Sequence, residues 1–135
     1  WMAIFFVGCA EYLPFAAGAL KGTVTPTPAS WDEVAAASII QLESNPSDPY
    51  SVNLWVVEIQ GDLFVFAGDN LSQWVENIQT DRNVRVAAHG KIYELSATRV
   101  TDPTLFELFA EAWKDKYGNR PRNENVDETY LYRLR

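Results

Sequence analysis

The residues best placed to do chemistry sit at the start of one amphipathic helix. In "DNLSQWVENIQTDRNVRVAA", Asp69 to Ala88, the residues Leu71, Trp74, Val75 and Ile78 fall at i, i+3, i+4 and i+7, which predicts a helix with one apolar face. The first turn of a helix has unpaired backbone N–H groups, so these groups and the Ser72 hydroxyl form a donor set suited to an anion such as a phosphate. A purely local role competes: with Asn70 as N-cap, Gln73 stands at N3, where a glutamine reaches back to the cap's own N–H. Arg82, Arg85 and Lys91 are the cations able to add charge. Each also reads as solvated surface: Arg82 in a turn, Arg85 on the polar face of a strand, Lys91 beside a hairpin.

Other reagents are scarce. With one cysteine, Cys9, and one histidine, His89, the chain of 135 residues has no internal disulfide framework, no Cys or His cluster for a metal, and no nucleophile and base pairing. His89-Gly90 between two alternating runs reads as a two-residue hairpin turn, which explains the histidine without chemistry. No catalytic residue and no metal ligand is expected. Lys and Arg number 11 against 18 Asp and Glu, a net charge of −7, which disfavours nucleic acid. Only Lys21 precedes Arg82, so any anion site belongs to the C-terminal part.

The elements that must position these residues follow from the patterning. Ser30 caps a short helix from Trp31 to about Ala37, with Asp32 and Glu33 in its first turn. "SIIQLES" reads as a strand and "NPSDPY" as a turn-rich loop. The nearly continuous apolar run of "SVNLWVVEI" implies a strand buried on both sides, in which the Asn53 amide needs a partner. Gly61-Asp62 turns the chain into the strand "LFVFAG". Val84, Val86 and Ala88 share one face of a strand, and "KIYELSATRV" returns through the hairpin with Tyr93, Leu95 and Ala97 on one side. Asp102-Pro103 starts a second amphipathic helix with the stripe Leu105, Leu108, Phe109, Ala112 and Trp113, stopped by Gly118. "YLYRLR" is a closing strand. The fold class expected is α+β: a six-stranded antiparallel barrel with two amphipathic helices. Trp55 and Trp74 have the side chains to stack on a ring, with core packing the likelier fate.

The barrel, 31–135, follows an apolar segment, 1–20, and an extended linker, 21–30, with two prolines and three threonines in "KGTVTPTP". The stretch from Trp1 to Ala10 is uncharged and spans about 15 Å as a helix, half a bilayer core, so further apolar residues upstream would be needed to complete a span. We expect membrane association through a single N-terminal anchor, with Trp1, Ile4, Phe5, Phe6, Tyr12 and Phe15 in contact with lipid or a partner. The alternatives are a residual signal peptide, a lipoprotein site at "FVGC" with Cys9 acylated, and an apolar arm docked on another protein.

The order of elements, and "DPYSVNLWVVEIQGDLFVFAGDNLSQWVENIQTDRNVRVAAHGKIYELSATRV" above all, resembles the split-barrel superfamily of pyridoxamine phosphate oxidase-like and deazaflavin-dependent reductase-like proteins. With "GALKGTVTPTPASW" and the final "YRLR" it is similar to an uncharacterised, membrane-anchored bacterial subgroup. The resemblance implies a split barrel, a homodimer in many relatives, and FMN or a deazaflavin between barrels serving hydride transfer to a small substrate. Some relatives bind haem, which the single histidine here disfavours. Relatives that hold a flavin phosphate place Ser or Thr and then Lys or Arg at the helix start; here the pair is Ser72-Gln73, without the cation. Tyr50, Ser51 and Asn53 match the place where relatives contact the isoalloxazine ring; Arg82, Arg85 and Lys91 are the cations able to supply charge from neighbouring strands, and Arg85 is grouped with the cofactor-binding residues.

Two functions follow as expectations. One is an accessory or stabilising subunit of a membrane protein complex, of respiratory or photosynthetic type, without strong cofactor binding. The other is a membrane-tethered flavin- or deazaflavin-dependent oxidoreductase, whose cofactor does the chemistry and which therefore needs few catalytic side chains.

Overall fold

The computed structural model describes residues 18–68 and 71–135. The membrane or partner contacts expected at Trp1, Ile4, Phe5, Phe6, Tyr12 and Phe15, and the cap expected at Asn70, lie outside the described residues. Among the described residues there are eight strands, where the sequence reading counted six: β1 (Thr23–Val24), β2 (Ile40–Ser44), β3 (Tyr50–Leu54), β4 (Val57–Ile59), β5 (Asp62–Ala67), β6 (Asn83–Ala88), β7 (Lys91–Arg99) and β8 (Tyr130–Leu134). The helices are α1 (Asp32–Ala35), α2 (Gln73–Thr80) and α3 (Pro103–Tyr117). No helix among them is long and apolar enough to cross a membrane.

The two additional strands have separate causes. The run expected as one strand from Ser51 to Ile59 breaks at Trp55-Val56 into β3 and β4. The Lys116 ammonium donates to Val56 O at 2.7 Å, and the Tyr117 hydroxyl accepts from Val56 N–H at 3.0 Å, so the bend is bonded by α3 instead of by a neighbouring strand. The strand is thus not buried on both sides as expected: Val56, Val57 and Ile59 are buried, Trp55 is 45% exposed, and Asn53 points to solvent from β3. The other addition, β1, comes from the segment expected to be a linker. It runs parallel to β7, pairing Thr23 with Lys91 and Val24 with Ile92.

The strands form a curled sheet in the order β3-β2-β6-β7-β8-β5-β4, and its end strands β3 and β4 are joined through the bend. The long β7 serves both halves, pairing with β6 from Lys91 to Ser96 and with β8 from Ala97 to Arg99. Period-2 alternation sorts its neighbours. Leu42, Val86, Tyr93, Leu95 and Leu134 fill the inside with Trp31 and Val34 from the α1 region and Trp74, Val75 and Ile78 from α2. Phe64 and Leu131 point outward to α3, against Phe106, Phe109 and Ala110.

The α3 stripe is rotated from the one expected. Phe106 and Ala110 are buried beside Phe109, Trp113 packs at the edge, and Leu108 is 42% exposed. The aromatic rings decide this, because Phe106, Phe109 and Trp113 all meet Phe66. Local signals hold elsewhere. Asp102 caps α3 through Thr104 N–H with Pro103 in the first turn, and His89 and Gly90 take φ of 54° and 77° in the expected hairpin turn. The turn before β5 is Gln60-Gly61, one residue earlier than expected.

Candidate functional site

The residues expected to hold a cofactor fall into two groups on opposite faces of the sheet. Ser51, Glu43, Arg85 and Glu94 are direct cross-strand partners in one row over β3, β2, β6 and β7, on the outer face. Asn53 shares that face, two residues along β3 from Ser51. Tyr50 faces the other way and packs against the inner core. Ser72 and Gln73 lie at the start of α2, joined to Tyr50 by a polar chain: Gln73 Nε2 donates to Asn77 Oδ1 (2.9 Å), Asn77 Nδ2 to Ser44 Oγ (3.0 Å), and Ser44 Oγ to Tyr50 O (3.4 Å).

The α2 start corrects the capping assignment. Ser72 is the N-cap and Gln73 is the first helical residue, not N3, so its side chain reaches forward to Asn77 instead of back to a cap. Ser72 itself makes no side-chain cap bond, and its hydroxyl has no hydrogen bond among the described residues. The sequence favoured Asn70 because Asx residues are strong caps, but the inward demand of Trp74, Val75 and Ile78 sets where the helix begins.

On the outer face, the chain's own arm has taken the polar groups. Ser51 Oγ donates to Gly18 O at 2.5 Å, and Glu43, only 5% exposed, accepts Leu20 N–H at 2.8 Å. Leu20 is buried with Ala87 and Ile92, Thr23 N–H bonds Gly90 O, and Thr25 N–H bonds Ile92 O. Arg85 Nε is buried 3.2 Å from Glu43 Oε1, close enough to pair charges but off the line of a hydrogen bond. Glu94 is the cross-strand partner of Arg85 on the other side in the register. A groove of about 640 Å³ runs over Arg85, between Glu43, Glu94, Ser96 and Arg135.

The other cations are also committed or remote. Arg82 Nε donates to Ser96 Oγ at 2.7 Å, and Lys91 is exposed beside the hairpin. His89, exposed as expected, lies 3.2 Å from Glu33 O. No group of His, Cys, Asp or Glu among the described residues is arranged to hold a metal.

A third feature was not read as a unit from the sequence. A groove of about 1030 Å³ opens beside the bend, lined by Trp55, Phe66, Gly68, Trp113, Tyr117 and Asn119, with the loop 120–123 as its rim. Trp55 lies flat on Tyr117, 4.1 Å between centroids and 7° between planes, and meets Trp113 at 5.3 Å. Burial pushes the Tyr117 phenol above its ordinary value and the Lys116 ammonium below its own. Lys116 answers that cost with three carbonyls, Ala35, Ala37 and Val56, each at 2.7 Å. The exposed Trp was the available signal: of the two tryptophans weighed as ring partners, Trp74 is core and Trp55 is not.

A phosphate-tailed flavin or deazaflavin asks for an unspent cation with free N–H donors near it. These residues do not fit that demand: Arg85 is paired with the Glu43 carboxylate, Gln73 is neutral and bonded to Asn77, and Ser51 holds the arm. Ser72 and the first turn of α2 remain as neutral donors.

No protein-family model matches the chain, and no curated protein does. Solved structures do. General stress protein 26 from Bacillus anthracis is 18% identical over 76% of this chain and 82% of its own, with a TM-score of 0.59. An F420 reductase is 15% identical over 81% and 94%, with a TM-score of 0.55. A FAD-binding protein from Mesorhizobium loti is 16% identical over 76% and 83%, with a TM-score of 0.53. At such identities the likeness establishes the fold, which is the split barrel.

Proposed function

We propose that this chain is a split-barrel binding module that holds no phosphate-tailed flavin of its own and serves as an accessory subunit of a membrane protein complex. The observation that carries the first part is the pairing of Arg85 with buried Glu43 under the chain's own arm, which spends the cation and the acceptor on internal contacts. A phosphate dianion brought to Arg85 would meet the Glu43 carboxylate paired with it. The membrane part rests on the uncharged run from Trp1 to Ala10 in the sequence, which the arm from Gly18 to Thr25, bonded to the barrel, follows along the chain.

A second reading is favoured by the shared fold: proteins described as FAD-binding and as an F420 reductase are built the same way. On that reading the domain is an oxidoreductase, and Ser72 with the α2 first turn receives the phosphate through neutral donors. One experiment separates the two. The protein is purified from its native source in mild detergent, its absorption spectrum is recorded, and released small molecules are identified by mass. A colourless protein accompanied by other membrane subunits is the expected result. A stoichiometric flavin or deazaflavin overturns the accessory reading and assigns the oxidoreductase.

A further inference from the structure

The aromatic groove beside the bend takes no part in the argument above, and its lining divides in two. One side is a wall of rings, Trp55, Phe66, Trp113 and Tyr117, and the other is the polar loop 119–123. Ligand sites are concave, with apolar walls, a few placed polar groups and about 300 to 1,000 Å³ of volume; at about 1030 Å³ this groove has room for several linked rings. Tyr117 lies flat against one face of the Trp55 indole and Trp113 tilts beside it, yet Trp55 is 45% exposed. The indole is therefore a platform backed on one side only. The Tyr117 hydroxyl donates to Ser38 O at 2.8 Å and accepts Val56 N–H at 3.0 Å, so the platform is fixed before a ligand arrives, which lowers the ordering cost of binding.

The polar side is ordered too, and one cation in it is unspent. The charged side chains lining the groove are Arg120 and Arg122. Arg120 uses all five N–H groups, Nε and Nη2 on Glu124, Nη1 and Nη2 on Glu107, and Nη1 on Glu111, so three carboxylates compensate it and pin the loop. Arg122 is exposed and has no ion pair or hydrogen bond among the described residues. Asn119 is exposed and likewise unbonded, and its amide can both donate and accept.

These features select a ligand class. A flat aromatic molecule has two apolar faces, and a one-sided platform leaves one of them in water. A pyranose has a single apolar face of C–H groups and a perimeter of hydroxyls, so it covers the indole and keeps its other side solvated. The Asn119 amide suits those hydroxyls, and an unpaired guanidinium suits a carboxylate. We propose that this groove binds an acidic oligosaccharide, with a uronate ring stacked on Trp55, its carboxylate on Arg122 and a hydroxyl on Asn119.

The test is equilibrium dialysis of the full chain in mild detergent against the trisaccharides of galacturonate, mannuronate and guluronate, with triglutamate as a probe of like charge that has no sugar ring. Saturable binding of at least one uronate trisaccharide is expected, with triglutamate weaker by about tenfold or more. Trp55→Leu should weaken binding about tenfold, the order of one lost ring contact, and Arg122→Gln about tenfold, the order of one charge-assisted hydrogen bond. Asn119→Ala should cost about threefold, the order of one neutral hydrogen bond. Arg122 and Asn119 hold no internal bond among the described residues, so their variants report even where Trp55→Leu disturbs the fold. Absence of saturable binding by all three trisaccharides, equal binding of triglutamate, or the parent affinity in either Trp55→Leu or Arg122→Gln overturns the proposal.

Discussion

Arg85 has the side chain an anion site wants, yet its neighbours have assigned it other work. Glu43 lies 3.2 Å from its Nε and also takes Leu20 N–H, so one buried carboxylate holds both the guanidinium and the arm. Removing that carboxylate leaves a half-buried cation and a backbone donor unpaired. Glu43→Ala should therefore cost about 2 to 4 kcal/mol in urea unfolding, more than an exposed ion pair would explain. Arg120 shows the opposite case, a cation compensated at the surface. It holds the Glu107 and Glu124 carboxyls below their usual 4.5 by hydrogen bonding, and unfolding returns them to that value. Their contribution is complete above 4.5 and is lost as pH falls through the lowered values. Amide protection factors in residues 119–124, taken relative to the intrinsic rate at each pH, should fall on acidification below 4.5, and Glu107→Gln should flatten the response.

Among the elements, those governed by nearest neighbours were legible in the sequence. The apolar face of α2, the His89-Gly90 turn and the Asp102-Pro103 start of α3 need only residues a few positions apart. What could not be read depends on distant partners. The bend at Trp55-Val56 is bonded by Tyr117, 61 positions away, and nothing in "SVNLWVVEI" announces it. The exposure of Asn53 follows from that bend, which leaves β3 on the sheet's end. The arm is the second case: threonines and prolines suit a linker, but the edge of β7 opposite β6 is open at Lys91 and Ile92, and Thr23 and Val24 fill it. Gly22 permits the approach, with φ of 154° and no room for a side chain, since a Cβ there would stand 2.7 Å from Gly90 O. Gly22→Ala should cost about 1 to 3 kcal/mol. It should also expose Leu20 to limited proteolysis well before the barrel is cut; simultaneous cleavage of both would show that the arm is no separate unit.

For the whole molecule, the split-barrel layout was legible because the order of strands and helices was, and the solved structures share that fold. The candidate site was legible only as a set of residue types. The sequence grouped Tyr50, Ser51, Asn53, Ser72, Gln73 and Arg85, whereas the sheet sends Ser51, Asn53 and Arg85 outward and turns Tyr50 inward, next to the strand that α2 is bonded to. Alternation along β3 makes that division, and a one-residue reading of register cannot anticipate an arm that covers the outer group. On the reading proposed above, the molecule has a split-barrel fold and spends Ser51 and Arg85, which the sequence grouped as cofactor-binding, on holding itself together. The most direct test of that claim is to titrate the full chain in mild detergent with riboflavin and with FMN, which share a ring system and differ by the phosphate. Equal affinities within about threefold are predicted, since Arg85, the cation grouped with the cofactor-binding residues, is paired with Glu43. FMN binding tighter than riboflavin by tenfold or more, and losing that advantage in Ser72→Ala, would contradict it.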